Sequence, residues 1–336
     1  MQGRPITAAR GPRETPVGNS PFSADAGRRL DPRKFRDPMV TLDGAPRAFV
    51  HLKALSVLWF NTGTLCNIAC QTCYIDSSPR NDALVYLTAA EVAGYLAEIE
   101  QLGLPTGEIG FTGGEPFMNG EIVAMLAAAL ASGRRVLVLT NAMRPMRRFE
   151  TALIRLRQEF GHALTLRVSL DHHTRRVHEA ERGAGTWRPA LDGLSWLASH
   201  GFRLAVAGRR LAGEADGAAR RGYRRLFAEI GLDLDAADPA RLVLFPQLDA
   251  NADVPEVTQA CWSALGVPAD SVMCAGSRMV VKRKGAARPV VVACTLIPYD
   301  RAFELGERLL DAAGTVRLNH PHCAKFCLLG GASCSG

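Results

Sequence analysis

The chain has 336 residues, enough for one large core or two moderate ones, and its 47% hydrophobic and 22% charged composition is that of a globular protein. No stretch approaches the roughly 20 apolar residues of a membrane span, since Ile122–Ala131 is too short. The N-terminus has no apolar core of a secretory signal, so a cytoplasmic location is expected. The net charge of +7 permits an anionic partner, but basic runs interleaved with aromatics are missing, leaving no clear nucleic-acid signal.

In chain order, residues 1–48 are rich in Pro, Gly, Arg and Asp and read as a flexible basic arm. Regular structure is expected from a strand at 56–61, which leads into the first cysteines. Thr88 and Glu91 form a capping-box pattern ahead of Val92, Tyr95, Leu96, Ile99 and Leu102 at helical spacing. A strand at 108–112 follows, ending in two glycines, then a helix capped by Asn119. The alternation continues with strands at 135–140, 164–170, 202–207 and 241–245, and helices at 149–160, 189–199 and 214–230. Six strands separated by helices predict a parallel sheet with helices outside. Six units fall short of a closed eight-stranded barrel, so an α/β fold of partial (β/α)6, TIM-like form is expected over 49–250, with a flat doubly wound sheet as the alternative. From 251 to 336 the alternation stops, and a small cysteine-rich C-terminal extension begins.

Nine cysteines are too many to leave unexplained in a cytoplasmic chain, and their odd number argues against a closed disulfide framework. Three lie between positions 66 and 73 and six between 261 and 334. Two thiolate-rich metal sites follow. The first reads Cys66-Asn-Ile-Ala-Cys70-Gln-Thr-Cys73-Tyr74. Soft thiolates this close suit zinc or an iron–sulfur cluster. With no fourth ligand nearby, three cysteines can hold a cubane and leave one iron open, as a catalytic metal requires.

Cys66-x3-Cys70-x2-Cys73 followed by an aromatic residue, directly after a first strand, resembles the signature of the radical S-adenosylmethionine superfamily. The resemblance implies a [4Fe–4S] cluster with an open site, bound S-adenosylmethionine and an external flavodoxin- or ferredoxin-like electron donor. It also implies reductive cleavage to a 5′-deoxyadenosyl radical that abstracts hydrogen from a substrate. Gly113-Gly114-Glu115-Pro116 stands one βα unit later, as the family's methionine-binding motif does, so the glycine backbone and Glu115 are expected to hold the methionine amino group. Asn141 and Ser169 end the third and fourth strands, where ligand-facing polar residues belong. Arg182 is positioned to grip the methionine carboxylate bidentately, and Tyr74 to lie near the adenine. His172, His173 and His178 are expected mainly as surface residues.

In the extension, Cys274 and Cys294 flank an expected β-hairpin, a helix is expected beyond Leu305-Gly306, and Cys323, Cys327 and Cys334 follow. The layout is similar to the SPASM and twitch auxiliary-cluster extensions of radical enzymes that modify peptides or rearrange cofactor precursors. One auxiliary iron–sulfur cluster is expected, held by Cys274, Cys294 and two of the last three cysteines, with Cys261 a further candidate. Zinc is the alternative. The substrate is a peptide, a protein or a small molecule. The competing reading from another class is a non-enzymatic zinc or iron–sulfur protein with a structural or redox-sensing role.

Overall fold

The structure, a computed structural model, describes residues 25–211, 213–246 and 252–329. In chain order the strands and helices are β1 (Asp25–Arg29), β2 (Phe49–Val50), β3 (Val57–Asn61), α1 (Ala89–Gln101), β4 (Glu108–Thr112), α2 (Ile122–Ala131) and β5 (Arg135–Thr140). Next come α3 (Arg144–Arg147), α4 (Glu150–Phe160), β6 (Leu164–Ser169), α5 (Arg175–Arg182), α6 (Trp187–Ser199), β7 (Arg203–Arg210), α7 (Asp216–Glu229) and β8 (Leu242–Pro246). The remainder is β9 (Ala252–Asp253), α8 (Ala260–Leu265), β10 (Ser277–Val281), β11 (Val290–Val292), β12 (Glu304–Gly306), β13 (Val316–Arg317) and a π-helical turn, Cys323–Leu328.

Strands β3 to β8 pair in parallel in sequence order, with at least one helix in each connection, which is the expected six-unit partial barrel. Its free edge at β3 is not left open. Strand β10 pairs with it in parallel, placing Ser277 opposite Val57 and Val280 opposite Phe60, and β11 and β12 extend the same sheet antiparallel. The hairpin between Cys274 and Cys294 is thus an integral part of a nine-stranded sheet.

Alternation along the strands assigns each side chain to one of two cores. Leu58, Phe60, Val136, Val138 and Val280 pack outward with the helices, beside Leu96, Ile99, Leu126 and Leu153. Val57, Trp59, Leu137, Met279 and Val281 point into the concave side and pack with Val272, Phe303, Leu318 and Phe326 from the C-terminal segment. Gly110 has no side chain because the Trp59 indole occupies that space; a Cβ there would lie 2.3 Å from the ring.

Local signals held in places and shifted in others. Thr88 and Glu91 form the capping box of α1, with Thr88 Oγ1 accepting from the Glu91 N–H at 3.2 Å. Asn119 does not cap α2 as expected. Its amide donates to the carbonyls of Thr62 and Leu87, tying two loops together, and the helix begins three residues later. The helix expected after Leu305-Gly306 is a single 3-10 turn, Asp311–Ala313. The reading of residues 1–48 as a flexible arm is corrected over its described part beyond Leu30, where Phe35, Arg47 and Ala48 are buried. Hydrogen bonds rather than apolar periodicity hold it. Glu256 accepts from the Phe35 N–H at 2.5 Å, the Leu42 N–H at 2.6 Å and Arg47 Nη2 at 2.5 Å.

The Arg47–Glu256 pair is almost wholly desolvated, with side-chain exposures of 0% and 6%. Replacing Glu256 by Ala strands a buried guanidinium, and the expected loss is about 3–5 kcal/mol, measured as a lower urea midpoint. Burial pushes the Glu256 carboxyl up, but the Leu42 N–H, Arg47 and the Phe35 N–H together hold it below the usual 4.5. A lowered value stabilises the fold fully above the unfolded value. The contribution is therefore expected to fade as pH falls below about 4.5, and the acid limb of the stability profile should flatten in Glu256→Ala.

Candidate functional site

The first cysteine loop leaves the C-terminal end of β3 and is laced to the turn after β4. Thr62 N–H donates to the Thr112 carbonyl at 2.8 Å, Gly114 N–H to the Gly63 carbonyl at 2.8 Å, and Glu115 N–H to the Leu65 carbonyl at 3.1 Å. This lacing requires both glycines. Gly113 has φ +141°, and a Cβ would lie 2.5 Å from the Gly63 oxygen at Gly113 and 2.2 Å from the Leu65 oxygen at Gly114.

Cys66, Cys70 and Cys73 open onto one cleft, together with Tyr74, Gly113, Gly114, Asn141, Ser169 and Arg182. Burial pushes the Cys66 thiol up to about 12, and nearby Cys70 and Cys73 add to the rise. Burial also raises Cys70, against the pull of Arg182. Three thiols on one cleft, with burial raising Cys66 and Cys70 over the pull of Arg182, suit a bound positive metal centre, whose arrival displaces their protons. The donor set fits three irons of a cubane.

Two expected residues sit differently. Glu115 is buried and does not line the cleft. Its Oε1 accepts from Thr140 Oγ1 at 2.8 Å and the Phe117 N–H at 3.2 Å, and its Oε2 from the Asn141 N–H at 2.8 Å. Burial pushes its carboxyl up to about 7 despite these donors. Glu115 therefore braces the ends of β4 and β5 against each other. Pro116 is likewise buried, opening the 3-10 turn Pro116–Met118. Asn141, by contrast, reaches the cysteine loop, with Nδ2 donating to Asn67 Oδ1 at 2.8 Å.

The opposite wall carries residues that motif spacing missed. Asp171 lies 3.0 Å from Arg182 Nε and 3.8 Å from Arg209 Nε. Burial raises the Asp171 carboxyl, but the two guanidinium groups hold it below the usual carboxylate range. Arg209 also donates to Thr72 Oγ1, and Thr72 Oγ1 donates to Glu181 Oε2 at 2.6 Å. Gln71 N–H donates to the Glu181 carbonyl at 2.8 Å, so the loop between Cys70 and Cys73 is stitched to the last turn of α5. Arg209 lies one residue before the end of β7, and that strand-end position was the available signal for it. Leu296 and Phe326 complete the cleft from the C-terminal segment, where no local pattern announces them.

The histidines are not surface residues. His178 is fully buried against Trp187, and burial followed by the nearby Arg182 pulls it down to about 4. His172 and His173 stack with ring centroids 4.0 Å apart, and Glu214 Oε1 lies 3.6 Å from His172 Nε2. One ligand-type atom from each of His172, His173 and Glu214 lies within 4.8 Å of the other two.

In the C-terminal segment Cys274, Cys294, Cys323 and Cys327 line one cavity. Cys274 precedes β10, Cys294 follows β11, and Cys323 and Cys327 belong to the π-helical turn. Arg278 fixes the base of the site, donating to the carbonyls of Cys274 at 2.6 Å and Ala312 at 2.9 Å. Burial pushes Cys274 up to about 12 and Cys323 well above the usual thiol value. Four thiols lining one cavity, Cys274 and Cys323 of them buried, fit a four-ligand metal centre. Cys261 stands apart from them, accepting from the Thr258 N–H at 3.3 Å beside a smaller cavity with Ala324 and Leu328. Cys334 lies outside the described residues.

Taken together, the described residues form an open parallel barrel with a three-thiol site at the C-terminal ends of its strands. Residues 60–210 match the Radical SAM superfamily. The antilisterial bacteriocin subtilosin biosynthesis protein AlbA of Bacillus subtilis strain 168 is 29% identical over 143 residues, covering 42% of this chain and 30% of AlbA. Streptococcus suis SuiB bound to S-adenosylmethionine superposes with a TM-score of 0.55 at 11% identity, covering 76% of this chain and 63% of SuiB. Native anSMEcpe with bound AdoMet gives 0.53 at 13% identity, covering 76% of this chain and 79% of that one. At these identities the two structures establish the fold. The chain spans less than a third of AlbA and under two thirds of SuiB.

Thr72→Val removes both the donation to Glu181 and the acceptance from Arg209. Hydrogen bonds to charged groups contribute about 1.5–3 kcal/mol, so amides 70–74 are expected to exchange hydrogen roughly tenfold or more faster. Unchanged exchange would show that the loop is held elsewhere.

Proposed function

We propose that the chain is a radical S-adenosylmethionine enzyme, with residues 49–250 as its catalytic barrel and 251–336 as an auxiliary-cluster extension of the SPASM or twitch kind. The observation that carries this is the convergence of Cys66, Cys70 and Cys73 with Gly113, Gly114, Ser169 and Arg182 on one cleft. When bound, a [4Fe–4S] cluster with an open iron supplies reductive cleavage of S-adenosylmethionine to methionine and a 5′-deoxyadenosyl radical. The protein residues bind and orient. Arg182 and Arg209 leave the wall around Asp171 cationic, which suits the methionine carboxylate. The Gly113–Gly114 backbone offers close approach to the ammonium, and Tyr74, Leu139 and Phe245 give an apolar surface for the adenine and substrate. A structural or redox-sensing metal protein has no use for such an open, charged cleft.

Cys274, Cys294, Cys323 and Cys327 form a complete ligand set for one auxiliary cluster, which leaves no ligand position for substrate. That site serves electron transfer or stability, and a flavodoxin- or ferredoxin-like donor supplies electrons from outside. The bacteriocin-biosynthesis role of AlbA favours a peptide substrate over a small molecule. Among the described residues no helix is long and apolar enough to cross a membrane, consistent with action in the cytoplasm.

Anaerobic reconstitution is expected to yield about eight irons per chain, and dithionite with S-adenosylmethionine should release 5′-deoxyadenosine. Alanine at Cys66, Cys70 and Cys73 together should lower the count to about four and abolish the product. Iron unchanged in that variant, with no 5′-deoxyadenosine from the parent protein, would falsify the assignment. Separately, Cys274→Ala with Cys323→Ala should remove about four irons while leaving the three-cysteine site loaded.

A further inference from the structure

The wall of the four-cysteine cavity is hydrocarbon and sulfur apart from one group, the His322 imidazole. Its Nδ1 is buried and has no hydrogen-bond partner among the described residues. Leaving such an atom unsatisfied is unfavourable, so an occupant of the cavity that accepts a hydrogen bond is the economical resolution. His320 is not that partner. Its ring lies 4.7 Å from that of His322, but its Nδ1 already accepts the His322 backbone N–H at 3.1 Å. That bond fixes the chain entering the π-helical turn and, with it, the imidazole one residue before Cys323.

We propose that His322 donates a hydrogen bond from Nδ1 to a sulfur of the cluster held by Cys274, Cys294, Cys323 and Cys327, and so raises its reduction potential. The inference rests on the reading of this cavity as an iron–sulfur site. Four thiolates make a cluster strongly anionic, and reduction adds another negative charge to a low-dielectric pocket. A donor to sulfur stabilises the more negative state, so it shifts the potential upward. The Leu296 N–H provides one such contact to Cys294 Sγ at 3.4 Å, and His322 adds one from the opposite side of the sequence. His322 is thus a tuning residue, acting on the metal centre through its ligand shell.

The test uses the full chain carrying Cys66→Ala, Cys70→Ala and Cys73→Ala, so that only the C-terminal site titrates. The variants are reconstituted anaerobically, their iron counted, and the cluster titrated with dithionite under electron paramagnetic resonance. In this background His322→Leu is expected to keep about four irons and to shift to a more negative potential. His322→Asn, whose amide nitrogen stands close to the position of Nδ1, should recover most of that shift. A His322→Leu protein with full iron and an unchanged potential overturns the proposal. Loss of iron in His322→Leu would make the residue a ligand or a structural support instead, and also overturns it. If the parent of the series binds zinc or no metal, the iron–sulfur reading of the cavity fails with it, and the metal count reveals this before any potential is measured.

Discussion

An unclosed barrel has a concave face that must be covered, and the way this chain covers it governs both thiol sites. Six parallel strands leave Val57, Trp59 and Leu137 facing inward with no seventh and eighth unit to complete the wall. The C-terminal segment supplies the cover. Its β10 adds to the β3 edge, and Val272, Phe303, Leu318 and Phe326 fill the interior. Burial of this apolar surface is the large term holding the segment in place. Because the cover is also where four cysteines lie, the second metal site is built from the same residues that finish the core.

The two sites consequently share a boundary. Leu296 lines both the cleft and the four-cysteine cavity, and Phe326, between Cys323 and Cys327, stacks on Phe245 at 5.6 Å within the cleft wall. The same economy appears at Glu115. Its buried carboxylate fastens the ends of two strands, so the glycines beside it can hold a conformation that leaves their backbone open to a ligand.

Much of this was legible in the sequence wherever short-range pattern sufficed. The strand–helix alternation gave the barrel, and the spacing of Cys66, Cys70 and Cys73 gave the metal chemistry. Gly113, Gly114 and Ser169 reach the cleft because strand ends do, and Arg182 reaches it from the last turn of α5. What escaped notice depends on contacts between distant residues. Arg209 is recognisable only once Thr72 and Asp171 are known to lie beside it, and Phe326 belongs to a turn far along the chain. Polar composition made residues 30–48 look loose, yet a single buried carboxylate from Glu256 organises them. The histidines misled for a similar reason, since their burial comes from α6 and α7 folding over them.

The pairing of β3 with β10 also dictates an order of events during synthesis. The Ser56 hydroxyl bonds the Gly276 carbonyl across 220 residues, so the first barrel strand waits for its neighbour until nearly all the intervening chain has been made. Contacts of such separation are slow to form, and an unpaired strand edge is a template for association with other chains. The nascent barrel is thus a species with one sticky side and its interior exposed. Chaperone capture, low expression temperature and a supply of iron and sulfide before the last cysteines emerge are the conditions under which this topology would be reached with least aggregation.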